Sequence, residues 1–368
     1  MRIGFDAKRA FLNASGLGNY SRNTINALHQ YSKNNQCILY TPEIKDGLFE
    51  NYKQFEVHSP ESLLAKTFKS VWRSNTTVHI KKHQIDIFHG LSNELPHGIH
   101  KTNIPAVVTI HDLIFLRFPG FYKAIDRKIY HNKVKYACTS AQKIIAISQQ
   151  TKEDIIRFFN VEPDKIEVVY QSVSPVFFEH KNNENLRSKY NLSEPFILSV
   201  GTIEPRKNQL AILKALFSEK IDLQVVFVGK PTSYTKILTR FITENKMETK
   251  VKFLNNIPEN DLAGLYQLSR LSVYISHFEG FGLPVIESMA SGCPVITSNV
   301  SCLPETAGGA AVLCDPDNFV ELGKQMKELL ENEKIRDELV KKGNERARLF
   351  HPEYFSEKMI SLYTGILT

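Results

Sequence analysis

No stretch of the 368-residue chain approaches the ~20 consecutive apolar residues that span a bilayer, so a transmembrane helix is not expected. The opening MRIGFDAKRA lacks a basic region followed by an apolar run and reads as the start of a strand, without a secretory signal. The five cysteines, Cys37, Cys138, Cys293, Cys302 and Cys314, are odd in number and scattered, with no C-x-x-C and no histidines at zinc-ligand spacing. That argues against a disulfide framework and a structural zinc, and makes a reducing cytoplasm the expected setting. Low-complexity tracts and internal repeats of 20 to 50 residues are absent too, which removes the disordered and solenoid classes.

What remains is an ordinary globular composition, 42% hydrophobic and 23% charged, in a chain long enough for two domains at roughly 150 residues each. The net charge of +7 is lopsided. Residues 1–180 hold 23 Lys+Arg against 16 Asp+Glu, while 181–368 hold 23 against 23, so the whole excess lies in the first half. An anionic partner is expected there, such as a membrane surface or a phosphate-bearing acceptor; no motif points to nucleic acid.

Short β-branched and aromatic runs alternate with helical patterns, as in parallel α/β sheets. The first half predicts strands at Arg2–Phe5, Cys37–Tyr40, Ile85–Phe88, Ala106–Ile110, Ile144–Ile147 and Ile166–Val169. After a polar connector, His180–Ser193, the pattern restarts at Phe196–Val200, Gln224–Val228, Lys250–Leu254, Ser272–Ile275, Pro294–Thr297 and Ala311–Leu313. The restart places the domain boundary near residue 180. From Asp317 onward two or three amphipathic helices are expected, with a break at Pro352.

Four segments carry candidate chemistry. HFEGFGLPVIESMASGCPV, His277 to Val295, follows a strand; Pro284 suits a helix's first turn, and Gly280 and Gly282 permit close approach of backbone to ligand. A strand, a glycine loop and a helix N-terminus together favour phosphate. Glu279 and Glu287 flank that start; singly they read as a solvated acid and a dipole partner, together as two carboxylates reaching different hydroxyls of one ligand. SVGTIEPRKNQLAILKAL, Ser199 to Leu216, sets Arg206 and Lys207 at the carboxyl end of a strand, where open α/β sheets bind ligands. Such a pair is usually a solvated surface pair, but beside an anion-binding helix it becomes a pyrophosphate clamp.

The third segment is the loop NASGLGNYSRNTINAL, in which Gly16 and Gly18 precede a helix expected to open near Asn19. It lacks the third glycine and the following acid of the dinucleotide fingerprint, which counts against a nicotinamide enzyme. In PAVVTIHDLIFLRFPG an apolar strand delivers His111 and Asp112 to its carboxyl end, as acid-base candidates or as a hydrogen-bonded histidine and an N-cap. Asp315–Asp317 spells a D-x-D that would suit a metal, but it precedes a helix and reads as an N-cap.

The string from Glu279 to Glu287 with EGFGLP inside it, together with GTIEPRKN, the Gly16/Gly18 loop, IHDL and SCLPETAGGAAVLCDP, resembles retaining glycosyltransferase family 4. The similarity runs from the first strand to about Pro316. It implies an α/β GT-B fold, two facing Rossmann-like domains with a cleft between them: 1–180 as the acceptor domain, 181–352 as the nucleotide-sugar domain, and a C-terminal helix, 353–368, joining the first. By resemblance, Arg206 and Lys207 hold the diphosphate, Glu279 the sugar hydroxyls and Glu287 the ribose. The backbone of Gly280, Phe281, Gly282 and Leu283 meets sugar and phosphate, and Asn256 and Ile257 frame the base. His111 contacts the sugar near the reacting carbon, and Gly16 or Gly18 approaches the phosphate. No metal or other cofactor is expected beyond a nucleotide-diphosphate sugar as co-substrate.

The pairing of HDLIFLRFPG with GTIEPRKN resembles bacterial mannosyltransferases of O-antigen or capsule assembly. It implies GDP-mannose as donor and a glycan or lipid-linked glycan as acceptor, with UDP-hexoses as the alternative. A sugar-nucleotide epimerase and a non-catalytic nucleotide-sugar-binding protein are the rivals from other classes. Residues 63–82, with Leu64, Phe68, Val71 and Trp72 on one helical face among Lys66, Lys69, Arg73, Lys81 and Lys82, read as an ordinary packed helix or as an interfacial helix on the inner face of the cell membrane.

Overall fold

The computed structural model describes residues 1–60, 76–181 and 183–368. The expectation for 63–82 falls outside the described residues up to 75; beyond that, a helix spans Thr76–Lys82 with Thr76 and Ile80 buried. Among the described residues no helix is long and apolar enough to cross a membrane.

The chain forms two compact units, Met1–Ser172 with Pro352–Thr368, and Val173–His351. The first holds seven strands: β1 (Arg2–Asp6), β2 (Gln36–Tyr40), β3 (Glu56–His58), β4 (Ile87–Gly90), β5 (Ala106–Ile110), β6 (Lys143–Ala146) and β7 (Ile166–Val168). They pair in parallel in the order β3-β2-β1-β4-β5-β6-β7. The second holds β8 (Phe196–Val200), β9 (Gln224–Val228), β10 (Val251–Leu254), β11 (Leu271–Tyr274), β12 (Val295–Ser298) and β13 (Val312–Cys314), in the parallel order β10-β9-β8-β11-β12-β13.

Buried parallel strands are apolar on both faces. In the first unit Ile38, Phe88, Val108 and Ile144 join one core cluster, and their neighbours Leu39, Ile87, Val107 and Ile145 join the other. The period of two in a strand sends successive side chains to opposite sides. Two expectations need correction. The predicted Ile85–Phe88 is shifted to Ile87–Gly90, because register with β1 pairs Ile3 with Ile87 and carries the ladder through His89 and Gly90. Strand β3 has no apolar run to betray it: it is a three-residue edge strand whose Glu56 is exposed.

Pro352 opens the last helix, Pro352–Leu367, whose Phe355, Met359 and Tyr363 enter the core cluster of β1 and β4. The change of unit at Ser172 precedes the polar connector because Val173–Glu179 is held by the second unit: Val173 N–H donates to Phe350 O at 3.0 Å and Ser291 Oγ to Phe177 O at 3.3 Å.

Met359 is fully buried, so Met359→Ala is expected to cost about 2–5 kcal/mol in the first unit. Native-state hydrogen exchange checks this: the amides of β1 and β4 should exchange faster, those of β8 and β9 unchanged. Unaltered protection in β1 and β4 would show that the helix is not part of that core.

Candidate functional site

In open α/β sheets ligands gather at the carboxyl ends of strands where the order reverses. In the second unit that place lies between β8 and β11. β8 leads through Gly201 into a 3-10 turn, Pro205–Lys207, and β11 leads through Ser276 to Glu279. Gly201 has φ +149°, and the stem of Lys207 lies 3.5 Å from where a Cβ would stand. Gly229 is held by the same turn, since a Cβ there would come within 1.9 Å of Gly201 O.

Glu279 is buried and gathers its donors on one oxygen. Lys207 Nζ lies 2.6 Å from Oε1, Arg206 Nη1 2.8 Å, and Ser276 Oγ donates at 2.5 Å. The Tyr274 hydroxyl also hydrogen-bonds to the Glu279 carboxylate. Lys207 also donates to Tyr274 OH at 2.5 Å, and Arg206 to Phe278 O at 2.6 Å and Glu204 Oε1 at 2.6 Å. Burial pushes the Glu279 carboxyl up, but Lys207 and Arg206 outweigh it and hold it down at about 2. Burial also works against the Arg206 charge, which Glu279, Tyr274 and Glu204 more than offset. Lys207 is drawn below its ordinary value by burial in spite of Glu279. Two half-buried or buried cations thus share one fully screened carboxylate, Glu204 being the more exposed partner. The cluster counts two cations and two carboxylates, of which only Glu279 is buried.

The helix Leu283–Ala290 starts beside it, with Gly282 as N-cap at φ +101° and Pro284 in the first turn. A Cβ on Gly282 would meet Leu303 at 2.6 Å, so this turn also needs glycine for space. Gly280, Phe281 and Leu283 lie in this turn, and Thr306 Oγ1 donates to Phe281 O at 2.5 Å. Ser301 Oγ ties the loop after β12 to Glu279 O at 2.8 Å. Glu287 sits a turn further on, half-buried, and accepts from Tyr266 OH at 3.3 Å. Burial, then Glu259, pushes its carboxyl up to about 8. Lys207 acts electrostatically on both carboxylates. Asn256, at φ +54°, and Ile257 follow β10, the first exposed and the second half-buried.

The first unit offers a neutral site. His111, at the end of β5, is buried; its Nε2 lies 2.8 Å from Leu91 O. A carbonyl only accepts, so Nε2 carries the proton and Nδ1 is the acceptor. Burial lowers the imidazole to about 4. Tyr20 stands edge-on to the ring at 4.6 Å, its hydroxyl 2.9 Å from Thr109 Oγ1. Thr109 Oγ1 is 2.8 Å from His89 Nε2, and His89 Nδ1 is 2.7 Å from Tyr363 OH of the last helix. A buried polar chain therefore runs from the C-terminal helix to the ring packed on His111. Asp112 is not the N-cap: Leu113 caps the short helix Ile114–Arg117, and Asp112 Oδ1 accepts from Ile114 N–H at 3.1 Å from one residue earlier.

The glycine loop is corrected. Gly16 and Gly18 lie inside the first turn of the helix Gly16–Tyr31, capped at Ser15, and not in a loop before Asn19. They also differ: a Cβ on Gly18 would fall 1.8 Å from Asn13 O, while one on Gly16 would meet nothing within 4 Å. Gly18 is thus a packing glycine, and Gly16 is the one that leaves room for a ligand. Asp315–Asp317 is corrected too: the cap of the following helix is Asn318, and Asp315 Oδ1 accepts from Asp317 N–H at 2.9 Å. Ser276, Tyr274 and Ser301 were not among the candidates of the sequence, nor was the Tyr20–Thr109–His89–Tyr363 chain, whose members only the fold brings together.

Residues 14–176 match the family model described as Glycosyltransferase Family 4, and residues 182–346 the model described as Glycosyl transferases group 1. The O-antigen chain mannosyltransferase B of Escherichia coli is 28% identical over 311 residues, covering 82% of this chain and 80% of that protein. The serotype-specific mannosyltransferase WbdA of the same species is 28% identical over 307 residues, which span 78% of this chain but 37% of that longer protein. Among solved structures, HepE of Anabaena in complex with UDP-glucose superposes with TM-score 0.78 at 17% identity, over 99% of this chain and 100% of that one. The fold is therefore GT-B.

The folded chain holds a proton on Glu287 that the unfolded chain gives up near 4.5. A raised carboxyl pKa means that this contribution to stability is whole below 4.5 and is lost as pH rises towards 8. Glu287→Gln cannot ionise, so urea unfolding should show wild type losing ground to the variant between about pH 5 and 8. A pH-independent difference would contradict the assignment.

Proposed function

Because the chain belongs to the glycosyltransferases through both of its halves, we propose that it transfers mannose from GDP-mannose, with retention, to a glycan or lipid-linked glycan acceptor in cell-surface polysaccharide synthesis. The observation that carries the reading is the pair of cations, Arg206 and Lys207, held at the sheet's reversal point on a single carboxylate oxygen. Two cations at that point suit a diphosphate, whose charge grows as the glycosyl bond breaks. Mannose is supported by the O-antigen mannosyltransferases among the relatives.

The state of the carboxylates favours a front-face displacement. Glu279 Oε1 is already taken by Lys207, Arg206 and Ser276, which argues against a glycosyl-enzyme intermediate of the retaining glycosidase kind. In the proposed step the bond between the anomeric carbon and the phosphate oxygen breaks, and the electron pair stays on the diphosphate beside Arg206 and Lys207. The released phosphate oxygen takes the proton of the acceptor hydroxyl, whose oxygen bonds to the same face of the sugar. Glu279 Oε2 receives a sugar hydroxyl, Glu287 the ribose, and the turn Gly280–Leu283 lies against sugar and phosphate. Asn256 and Ile257 border the base. In the first unit, His111 offers Nδ1 to a hydroxyl, and the open side of Gly16 takes phosphate or acceptor. Charge neutralisation by the two side chains leaves the reaction without need of a metal.

The test is release of nucleoside diphosphate from a panel of GDP- and UDP-sugars, with the product's anomeric configuration read by NMR. GDP is expected from GDP-mannose, with retention. Lys207→Met, which leaves Arg206 to pair Glu279, should lower turnover at least ~100-fold, in line with removal of one preorganised donor. Release of UDP would move the donor to a UDP-hexose; an inverted product or an undiminished Lys207→Met rate would overturn the mechanism.

A further inference from the structure

The helix Ala124–Ser140 has apolar residues on two sides, and only one of them faces the core. Its second half buries Val134, Ala137 and Cys138, as a packed helix should. Its first half turns isoleucines outward: Ile125 is 64% exposed and Ile129, one turn on, is 45% exposed. Positions four apart stand on one helix face. Tyr130, packed at 5.8 Å on Phe115 and 6.1 Å on Tyr122, still leaves 41% of its surface open, and Phe118 just upstream is 38% exposed. Large aliphatic side chains left this open on one turn of helix call for an occupant.

The charge around them says which. Residues 117–136 contain six Lys and Arg against one acid, Asp126. Arg117 is taken by Asp154 at 2.6 Å and Lys133 by Glu94 at 3.1 Å. Lys123, Lys128 and Lys135 are exposed and have no ion pair among the described residues, and Arg127 Nε is buried without a hydrogen-bond partner among them. A second copy of the chain would set these cations against one another. A nucleic-acid backbone would answer the lysines but not the isoleucines. An anionic bilayer answers both, with the isoleucines in the acyl boundary and the lysine stems along it, their ammonium groups at the headgroups.

We infer that the surface formed by Ile125, Ile129 and Tyr130 with Lys123, Arg127, Lys128 and Lys135 docks the protein on an anionic lipid surface. The segment follows His111 by the short helix Ile114–Arg117 and a 3-10 turn, Pro119–Phe121, so docking holds the His111 end of β5 close to the lipid. The inference stands apart from the transferase reading, because binding needs neither donor nor acceptor.

The test is co-flotation of the full chain with vesicles of phosphatidylcholine, alone or mixed with phosphatidylglycerol. Binding is expected only to the mixed vesicles and should fall as salt is raised. Lys123→Gln/Lys128→Gln/Lys135→Gln should weaken it about fivefold per lysine, about a hundredfold in all. Ile125→Ser/Ile129→Ser should weaken it roughly tenfold or more. Ile237→Ser, a control on the second unit whose isoleucine is 51% exposed, should bind as wild type. Thermal unfolding of each variant guards against a change in fold. No binding to any vesicle, equal binding to neutral ones, or full binding by either multiple variant would overturn the inference. So would self-association abolished by the isoleucine changes, or stronger binding to duplex DNA that the isoleucine changes leave intact.

Discussion

Two cations resting on one oxygen of Glu279 are the constraint around which the second unit is arranged. A buried ion pair is seldom the most stable way to fill space, because the charges give up their hydration and recover only part of it from one another. Here the recovery is incomplete for Lys207, whose ammonium is held below its ordinary value. The arrangement persists because neighbouring loops over-determine it. Arg206 O accepts from His277 N–H at 2.9 Å and lies 3.0 Å from Ser276 Oγ, which laces the turn after β8 to the loop after β11. Ser301 and Cys302 fasten the loop after β12 to Glu279 O at 2.8 and 3.2 Å.

The two units solve different electrostatic problems with the same sheet. In the second, charged groups are brought together and kept charged. In the first, burial keeps His89 and His111 neutral, at about 3 and about 4, and a chain of hydroxyls and imidazoles replaces ion pairs. That chain is anchored by Tyr363, so the last helix supplies a polar contact as well as apolar packing. The site of the first unit thus depends on residues from both ends of the chain.

Much of this was legible in the residues, and the failures have physical causes. Parallel strands buried on both faces are near-continuous apolar runs, so β5, β8 and β9 could be read to the residue. β3 is too short and too exposed for that signal, and β4 keeps its place through pairing with β1 and not through its own side chains. Arg206, Lys207, Glu279 and Glu287 stood out only because several motifs coincided; the clustering of the first three on one oxygen depends on β8 and β11 being neighbours. Spacing could not tell Gly18, pressed on Asn13, from Gly16, which faces open space. Nor could it connect Tyr20, His89, Thr109 and Tyr363, which are distant in the chain and are brought together only by the fold.

Arg206 and Lys207 are proposed as the seat for the second phosphate of a nucleotide. Calorimetric titration of the protein with GDP and with GMP addresses it without any acceptor or turnover. GDP is expected to bind roughly 10- to 100-fold tighter than GMP, as one or two charge-assisted hydrogen bonds would give, and the advantage to collapse in Lys207→Met while GMP binding stays nearly unchanged. An equal preference for the diphosphate in wild type and Lys207→Met would contradict it.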